Sequence, residues 1–196
     1  MTDAEPSRPR LRADARRSID TLLTAAAEVF AESGVDAPVR QITARAGVGA
    51  GTLYRHFPQR SDLIAAVFRH EVDACADTAP ALAAGHTPVE ALRLWLLRFT
   101  HFIATKRGLS AALHSGDPAY DSLPSYFQLR LVPALEDLLG AAAESGEIRT
   151  GTDPNDLLRA VANLTLPAQE DDGHTGRMVE LLLDGLRYGG GSAAGK

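Results

Sequence analysis

The chain has 196 residues, 45% of them hydrophobic and 23% charged, with a formal net charge of −5 and a single cysteine. This length suits one or two domains with a real core, and the composition is ordinary for a globular protein. One cysteine excludes an internal disulfide framework and any multi-cysteine metal site, while the lack of a span-length apolar run or signal-peptide core leads us to expect a cytoplasmic protein without a membrane partner.

Residues 1–12 are rich in Pro and Arg, lack apolar periodicity, and read as a disordered basic arm. A first helix is expected over Ala13–Ser33, with Ile19, Leu22, Leu23, Ala26 and Phe30 as its apolar stripe and Gly34 as its stop. Asp36 is the candidate cap of the next helix, with Pro38 in its first turn.

Residues 38–57 form the most informative stretch. Ile42 and Ala46 share one face of a short helix, and Gly47 can adopt the left-handed conformation that ends it. Val48 plugs the turn. A second short helix starts near Gly51-Thr52, and Leu53 and Phe57 point inward at i, i+4. Thr52, Arg55 and His56 are left facing outward, with Tyr54 at the edge. Such a face offers a guanidinium, a hydroxyl, an imidazole and a phenol to the DNA major groove and phosphates. This is a helix-turn-helix pattern with the second helix as reader. Charge distribution agrees: residues 1–60 carry nine Arg against seven acids, a net of +2, whereas residues 61–196 carry 11 basic against 18 acidic residues, a net of −7. An electropositive head on an acidic body would orient the protein on DNA. A fourth helix follows, opened by Ser61-Asp62 as a cap and lined by Leu63, Ile64, Val67, Phe68 and Val72.

The segments Ile42-Thr-Ala-Arg-Ala-Gly-Val48 and Gly51-Thr-Leu-Tyr-Arg-His-Phe-Pro-Gln-Arg-Ser-Asp-Leu63 resemble the DNA-binding domain of TetR-type transcriptional regulators. The resemblance runs from about Ala15 to about Ala74; beyond it, the chain is similar to that family only in length and helical content. Val39 stands where many relatives have Thr or Ser, and Arg60 where lysine is more usual. The resemblance implies an all-α protein, with a three-helix DNA-binding domain (13–74) and a helical ligand-binding and dimerisation bundle (75–188), between the disordered arm (1–12) and a Gly-rich end (189–196) that reads as a disordered tail. About nine helices are expected in all, in a homodimer. The implied DNA contacts are Arg40, Ala50, Gly51, Thr52, Tyr54, Arg55, His56 and Arg60. Of these, Arg55 and Thr52 are assigned to base edges; Tyr54, His56, Arg60 and Arg40 are assigned to phosphates.

In the body, Pro80 and Gly85-His-Thr-Pro88 mark breaks. A helix over Pro88–Arg107 is apolar nearly all round and is expected at the centre of a bundle. Leu109–His114 is a short helical piece. Leu123–Ser145 is a long helix in which Pro133 predicts a kink or a new start. Asp153-Pro154 opens another helix, Pro167–Thr175 is an acidic loop, and Gly176–Tyr188 is the last helix.

Six histidines invite metal or catalytic readings, yet none has His-x-x-x-His or Glu-x-x-His spacing. Cys75 falls in the apolar pattern of Ile64, Phe68 and Val72 and reads as a buried small hydrophobe. Following the resemblance, the candidate ligand cavity is lined by Trp95, Phe99, His101, Phe102, His114, Tyr126 and Asn163, with Gln169 as a further polar contact. The terminal amphipathic helices, with Leu157, Val161, Leu164, Val179, Leu182, Leu183 and Leu186, are the candidate dimer interface. The expectation is a non-enzymatic, cofactor-free repressor, released from a palindromic double-stranded operator by a small apolar or aromatic effector. A constitutive or activating regulator without a ligand is the alternative. A helical-bundle enzyme would call for paired acids or a metal cluster; a nonspecific architectural DNA protein would not call for an acidic body.

Overall fold

Every regular element in the described residues is helical. The computed structural model describes the backbone of residues 8–166, 171 and 173–187. The helices are α1 (Arg8–Ser33), α2 (Val39–Ala46), α3 (Ala50–His56), α4 (Arg60–Ala76), α5 (Thr78–Gly85), α6 (Pro88–Gly108), α7 (Ser110–Leu113), α8 (Leu123–Glu144), α9 (Pro154–Leu164) and α10 (His174–Arg187). A 3-10 turn at Pro118–Tyr120 precedes α8, and α7 is a single turn. The other nine helices have seven or more residues, in line with the all-α expectation. No described helix is long and apolar enough to cross a membrane. Residues 1–7, Gln169, Tyr188 and the tail 189–196 lie outside the described residues.

The chain divides into two units. One comprises Met1–His70 with Gly108–Tyr120; the other comprises Glu71–Arg107 with Asp121–Lys196. The expected boundary at 74/75 therefore falls near the first division, while the return of 108–120 to the first unit had no signal in the sequence.

In the first unit, α1 buries Leu22, Ala26 and Phe30, and these share a core with Ile42, Leu53, Leu63 and Val67. Helix α1 starts at Arg8, five residues before Ala13, because Arg, Leu and Ala all favour helix and Pro9 sits in its first turn. Gly34, at φ 75°, ends it. Gly108 lies against α1 so closely that a Cβ there would stand 2.3 Å from the Phe30 carbonyl oxygen.

In the second unit, α6 buries Val89, Leu92, Trp95, Leu96, Phe99, Phe102 and Ile103, as its all-round apolar pattern predicts. Trp95 and Phe99 stack at 5.9 Å and 3° between planes; Phe102 and Phe127 extend the cluster at 5.8–6.2 Å. The Trp95 indole N–H donates to the Cys75 carbonyl at 3.1 Å. Cys75 itself is fully buried, and burial pushes its thiol up to about 12, so it is an inert core residue.

Two prolines expected at breaks lie within helices: Pro80 marks no break, and Pro133 marks no new start. Pro80 does not break the chain, because it sits in the first turn of α5, where its missing N–H has no helical partner to lose. Pro133 is exposed, and α8 continues through it; one absent backbone hydrogen bond does not outweigh the buried Leu131, Leu135, Leu138 and Leu139. Asp153 caps α9 as the sequence suggests, accepting from the Asp156 N–H at 3.0 Å.

Candidate nucleic-acid interface

The reader helix α3 is set by its glycines and one buried leucine. Gly47, at φ 67°, closes α2: its N–H donates to the Ala44 carbonyl at 3.3 Å, and the Val48 N–H donates to Thr43 at 3.0 Å. This paired pattern needs a left-handed residue, hence glycine. Gly49 is extended and its carbonyl accepts from Thr52 and Leu53, starting α3. Leu53 anchors the helix in the core. Phe57, expected inward, is half-buried and lies just past the helix, with its N–H on the Leu53 carbonyl at 2.8 Å.

With Leu53 inside, the exposed face of α3 carries Ala50, Gly51, Tyr54 and Arg55; Tyr54 is 54% exposed. Thr52 and His56 flank it, half-buried. A Cβ on Gly49 or Gly51 would meet nothing within 4 Å. The fold therefore has no packing reason for glycine there, and the surface is open to close approach by another molecule's backbone. Arg40 is exposed on α2.

Helix α2 is tied to α1 by Arg45, which makes a bidentate bond to Glu32 at 2.8 Å and lies 3.7 Å from Glu28. These bonds hold the Glu32 carboxyl below its usual range. The start of α2 differs from expectation: Pro38 occupies the cap position and no side chain caps the helix, so Asp36 does not serve. At α4, which begins at Arg60, Asp62 reaches back from the first turn to accept the Gln59 N–H at 3.0 Å.

Arg60, expected at a phosphate, is engaged within the protein. Its Nε donates to the Val35 carbonyl and a terminal nitrogen to the Ala37 carbonyl, each at 2.6 Å; that nitrogen also donates to Val35. The guanidinium lies 5.8 Å from the centre of the Phe30 ring. It thus fastens the α1–α2 connection to the start of α4. Nothing in the sequence distinguishes a cation turned inward from one turned out.

The candidate effector residues do not converge on one hollow. Trp95, Phe99 and Phe102 belong to the buried aromatic cluster. The Tyr126 hydroxyl donates to Asp73 at 2.7 Å, and Arg130 bridges Asp73 and Asp77. His101 and Asn163 are exposed. His114 belongs to the first unit, with Nδ1 2.8 Å from the Ser110 carbonyl. A recess of about 230 Å³ does lie between α6, α8 and α9, lined by Phe99, Ile103, Lys106, Phe127, Leu158 and Arg159 among others. Of the expected residues, it includes Phe99. Among the described residues no three His, Cys, Asp or Glu side chains gather as a metal group.

Of the candidate interface residues, Leu157, Val161, Val179, Leu183 and Leu186 are buried within the single chain. Leu164 and Leu182 are half-buried, and Leu181, which the apolar pattern did not single out, is 63% exposed. The main apolar faces of α9 and α10 are thus used by the chain's own core.

Comparison with known proteins gives this geometry its context. Residues 22–67 match the family described as bacterial regulatory proteins, tetR family, and residues 87–188 match the C-terminal domain of SbtR-like transcriptional regulators. A TetR transcriptional regulator of Streptomyces coelicolor, SCO0520, is 41% identical with a TM-score of 0.76, over 86% of this chain and 97% of that one. A TetR regulator from Mycobacterium vanbaalenii is 33% identical with a TM-score of 0.70, over 90% and 99%. Reduced NemR of E. coli shares the fold at 13% identity and a TM-score of 0.65, over 87% and 96%. No curated relative matches. The open reader helix on its glycine-closed turn, with both family models and two relatives above 30% identity, shows that the chain belongs to the TetR family of DNA-binding transcriptional regulators.

Proposed function

We propose that this regulator is a cytoplasmic homodimeric repressor that leaves a palindromic operator when a small apolar or aromatic effector binds its second unit. The observation that carries the DNA side is the exposed face of α3, where Ala50, Gly51, Tyr54 and Arg55 stand open around the buried anchor Leu53. Arg55 and Thr52 read base edges; Tyr54, His56 and Arg40 grip phosphates; Gly51 and Ala50 let the DNA backbone come close. Arg60 holds the α1–α2 connection to the start of α4. Release is a population shift, in which effector favours a conformation whose two readers no longer match successive grooves.

Sequencing genomic fragments retained by the purified protein tests this reading. They should share a pseudo-palindrome with half-site centres roughly 34–36 Å apart. Fragments with no common sequence would overturn it. Dimerisation is supported by neighbouring leucines on α10, Leu181 at 63% exposure and Leu182 half-buried, beside the buried Leu183 and Leu186. Sedimentation at about micromolar concentration should show twice the 20.8 kDa chain mass. Leu181→Glu should yield folded monomer that has lost the operator; a Leu181→Glu dimer would place the interface elsewhere.

A further inference from the structure

The second unit contains a cation in an unusual setting. The chain has 18 Arg and two Lys, and one of those lysines, Lys106, stands near the end of α6, the helix that carries the aromatic cluster. The residue is half-buried, its ammonium lies 5.9 Å from the centre of the Phe127 ring, and it lines the recess with Phe99, Ile103 and Leu158. No carboxylate pairs with it among the described residues. The neighbouring cation on the rim, Arg159, is exposed and has Asp156 at 3.6 Å. Among the described residues no acid lines the recess.

That arrangement is costly. A cation taken partly out of water needs a counter-charge, and a ring face supplies a fraction of one. Burial alone holds the Lys106 pKa below the usual lysine range, with no partner raising it again. Other cations of the unit face carboxylates: Arg130, beside a hollow of about 350 Å³ lined by α5 and α8 residues, is bound to Asp73 and Asp77, Arg93 is bound to Glu90 and Glu180, and Arg98 lies 3.6 Å from Glu71. The Lys106 recess is different. It has an apolar floor of Phe99, Ile103 and Leu158, an aromatic wall at Phe127, the amides of Gln128 and Asn155, and a cation that no described carboxylate answers.

We propose that this recess binds a small organic anion, a carboxylate on an aromatic or short aliphatic body, with Lys106 as its counter-ion. The carboxylate sits at Lys106 within reach of Arg159, and the apolar body lies on Phe99, Ile103 and Leu158. The volume, about 230 Å³, is below the ~300–1,000 Å³ of drug-sized pockets and sets the occupant as small. The assignment of this anion as the effector rests on the reading of the second unit as a ligand sensor; the binding itself does not.

Matched acid and amide pairs test it on the full-length protein by calorimetry at pH 7: benzoate against benzamide, and hexanoate against hexanamide. Each acid should bind at least about tenfold more tightly than its amide, the ratio expected of one charge-assisted hydrogen bond. Lys106→Met should erase the preference, and Lys106→Arg should keep it. Trp95 fluorescence should report occupancy through the stacked Phe99. Equal binding of acid and amide in both pairs, no binding of either acid, or a preference that survives Lys106→Met would overturn the proposal. The wild-type comparison needs no variant to fold. Operator retention measured in the same samples separates the two readings. Acids that bind through Lys106 without releasing DNA uphold the site and sink the sensor. A neutral apolar compound that releases DNA while neither acid binds does the reverse.

Discussion

The two units place their polar side chains in opposite ways. In the first, Tyr54, Arg55 and Arg40 stand exposed on helices of seven or eight residues, while Arg45 and Arg60 turn back and lock those helices to their neighbours. In the second, long helices close over an aromatic cluster, and Lys106 is drawn half inside. A surface that meets a large polyanion needs charge held rigidly in the open. A site for a small molecule needs apolar walls and few polar groups, each deprived of water. The same residue types therefore carry different meaning in each unit, and that difference can be broken by substitution.

The largest effect is expected at the centre of the second unit. Trp95→Ala removes a fully buried indole and its hydrogen bond to the Cys75 carbonyl. Unfolding free energy should fall by about 3–5 kcal/mol, read from the denaturant midpoint by circular dichroism. Trp95→Phe, which retains a ring to stack on Phe99, should lose less. A cost below about 1 kcal/mol for the alanine variant would mean that the aromatic cluster is loosely packed, which would blur the contrast between a closed body and an open reader.

This asymmetry also explains what could be read from the sequence. The helix-turn-helix was legible because Gly47, Leu53 and the residues between them have local jobs: a left-handed stop, an anchor, an outward face. The all-round apolar character of α6 was legible for the same reason. The direction of Arg60 was not, because it depends on carbonyls at Val35 and Ala37 that only the folded loop presents. Nor could α5 be read, since Pro80 breaks a helix or starts one according to its position. The leucines of α9 and α10 showed an apolar face without showing whose core it covers. Lys106 was legible as a residue and invisible as a site, because α6, α8 and α9 must come together to make the recess.

Within the first unit, the inward and outward cations should separate cleanly. Arg60→Ala strips hydrogen bonds from the Val35 and Ala37 carbonyls and should lower stability by about 2–3 kcal/mol. The salt dependence of operator binding should be unchanged, because no phosphate contact is lost. Arg40→Ala should do the opposite, leaving the unfolding midpoint in place while reducing the salt slope by about 0.9 for each phosphate contact removed. If Arg60→Ala flattens the slope, Arg60 reaches DNA in the complex and its clamp is broken on binding.

The reader itself is tested by Arg55→Ala. An exposed arginine contributes little to folding, so stability should stay within about 0.5 kcal/mol. Operator affinity should fall by about 1–3 kcal/mol per half-site, and selection among randomised operators should lose preference at one base position. An equal loss on all sequences would reassign Arg55 to phosphate and leave base reading to Thr52 and its neighbours.

The smallest change makes the sharpest distinction, because its two effects have opposite signs. Gly51 is the second residue of α3, and a Cβ there would meet nothing within 4 Å beyond its own helix turn. Helix formation alone favours alanine at such a position by up to about 1 kcal/mol. Gly51→Ala should therefore raise the melting temperature. If α3 lies in the groove with Gly51 against the DNA backbone, the added methyl group meets the sugar-phosphate chain, and operator affinity should drop although the free protein has become more stable. A structural role for Gly51 predicts that both quantities fall. An unused surface predicts that stability rises and affinity holds. The combination of higher melting temperature and weaker operator binding is the one that places another molecule's backbone at this glycine.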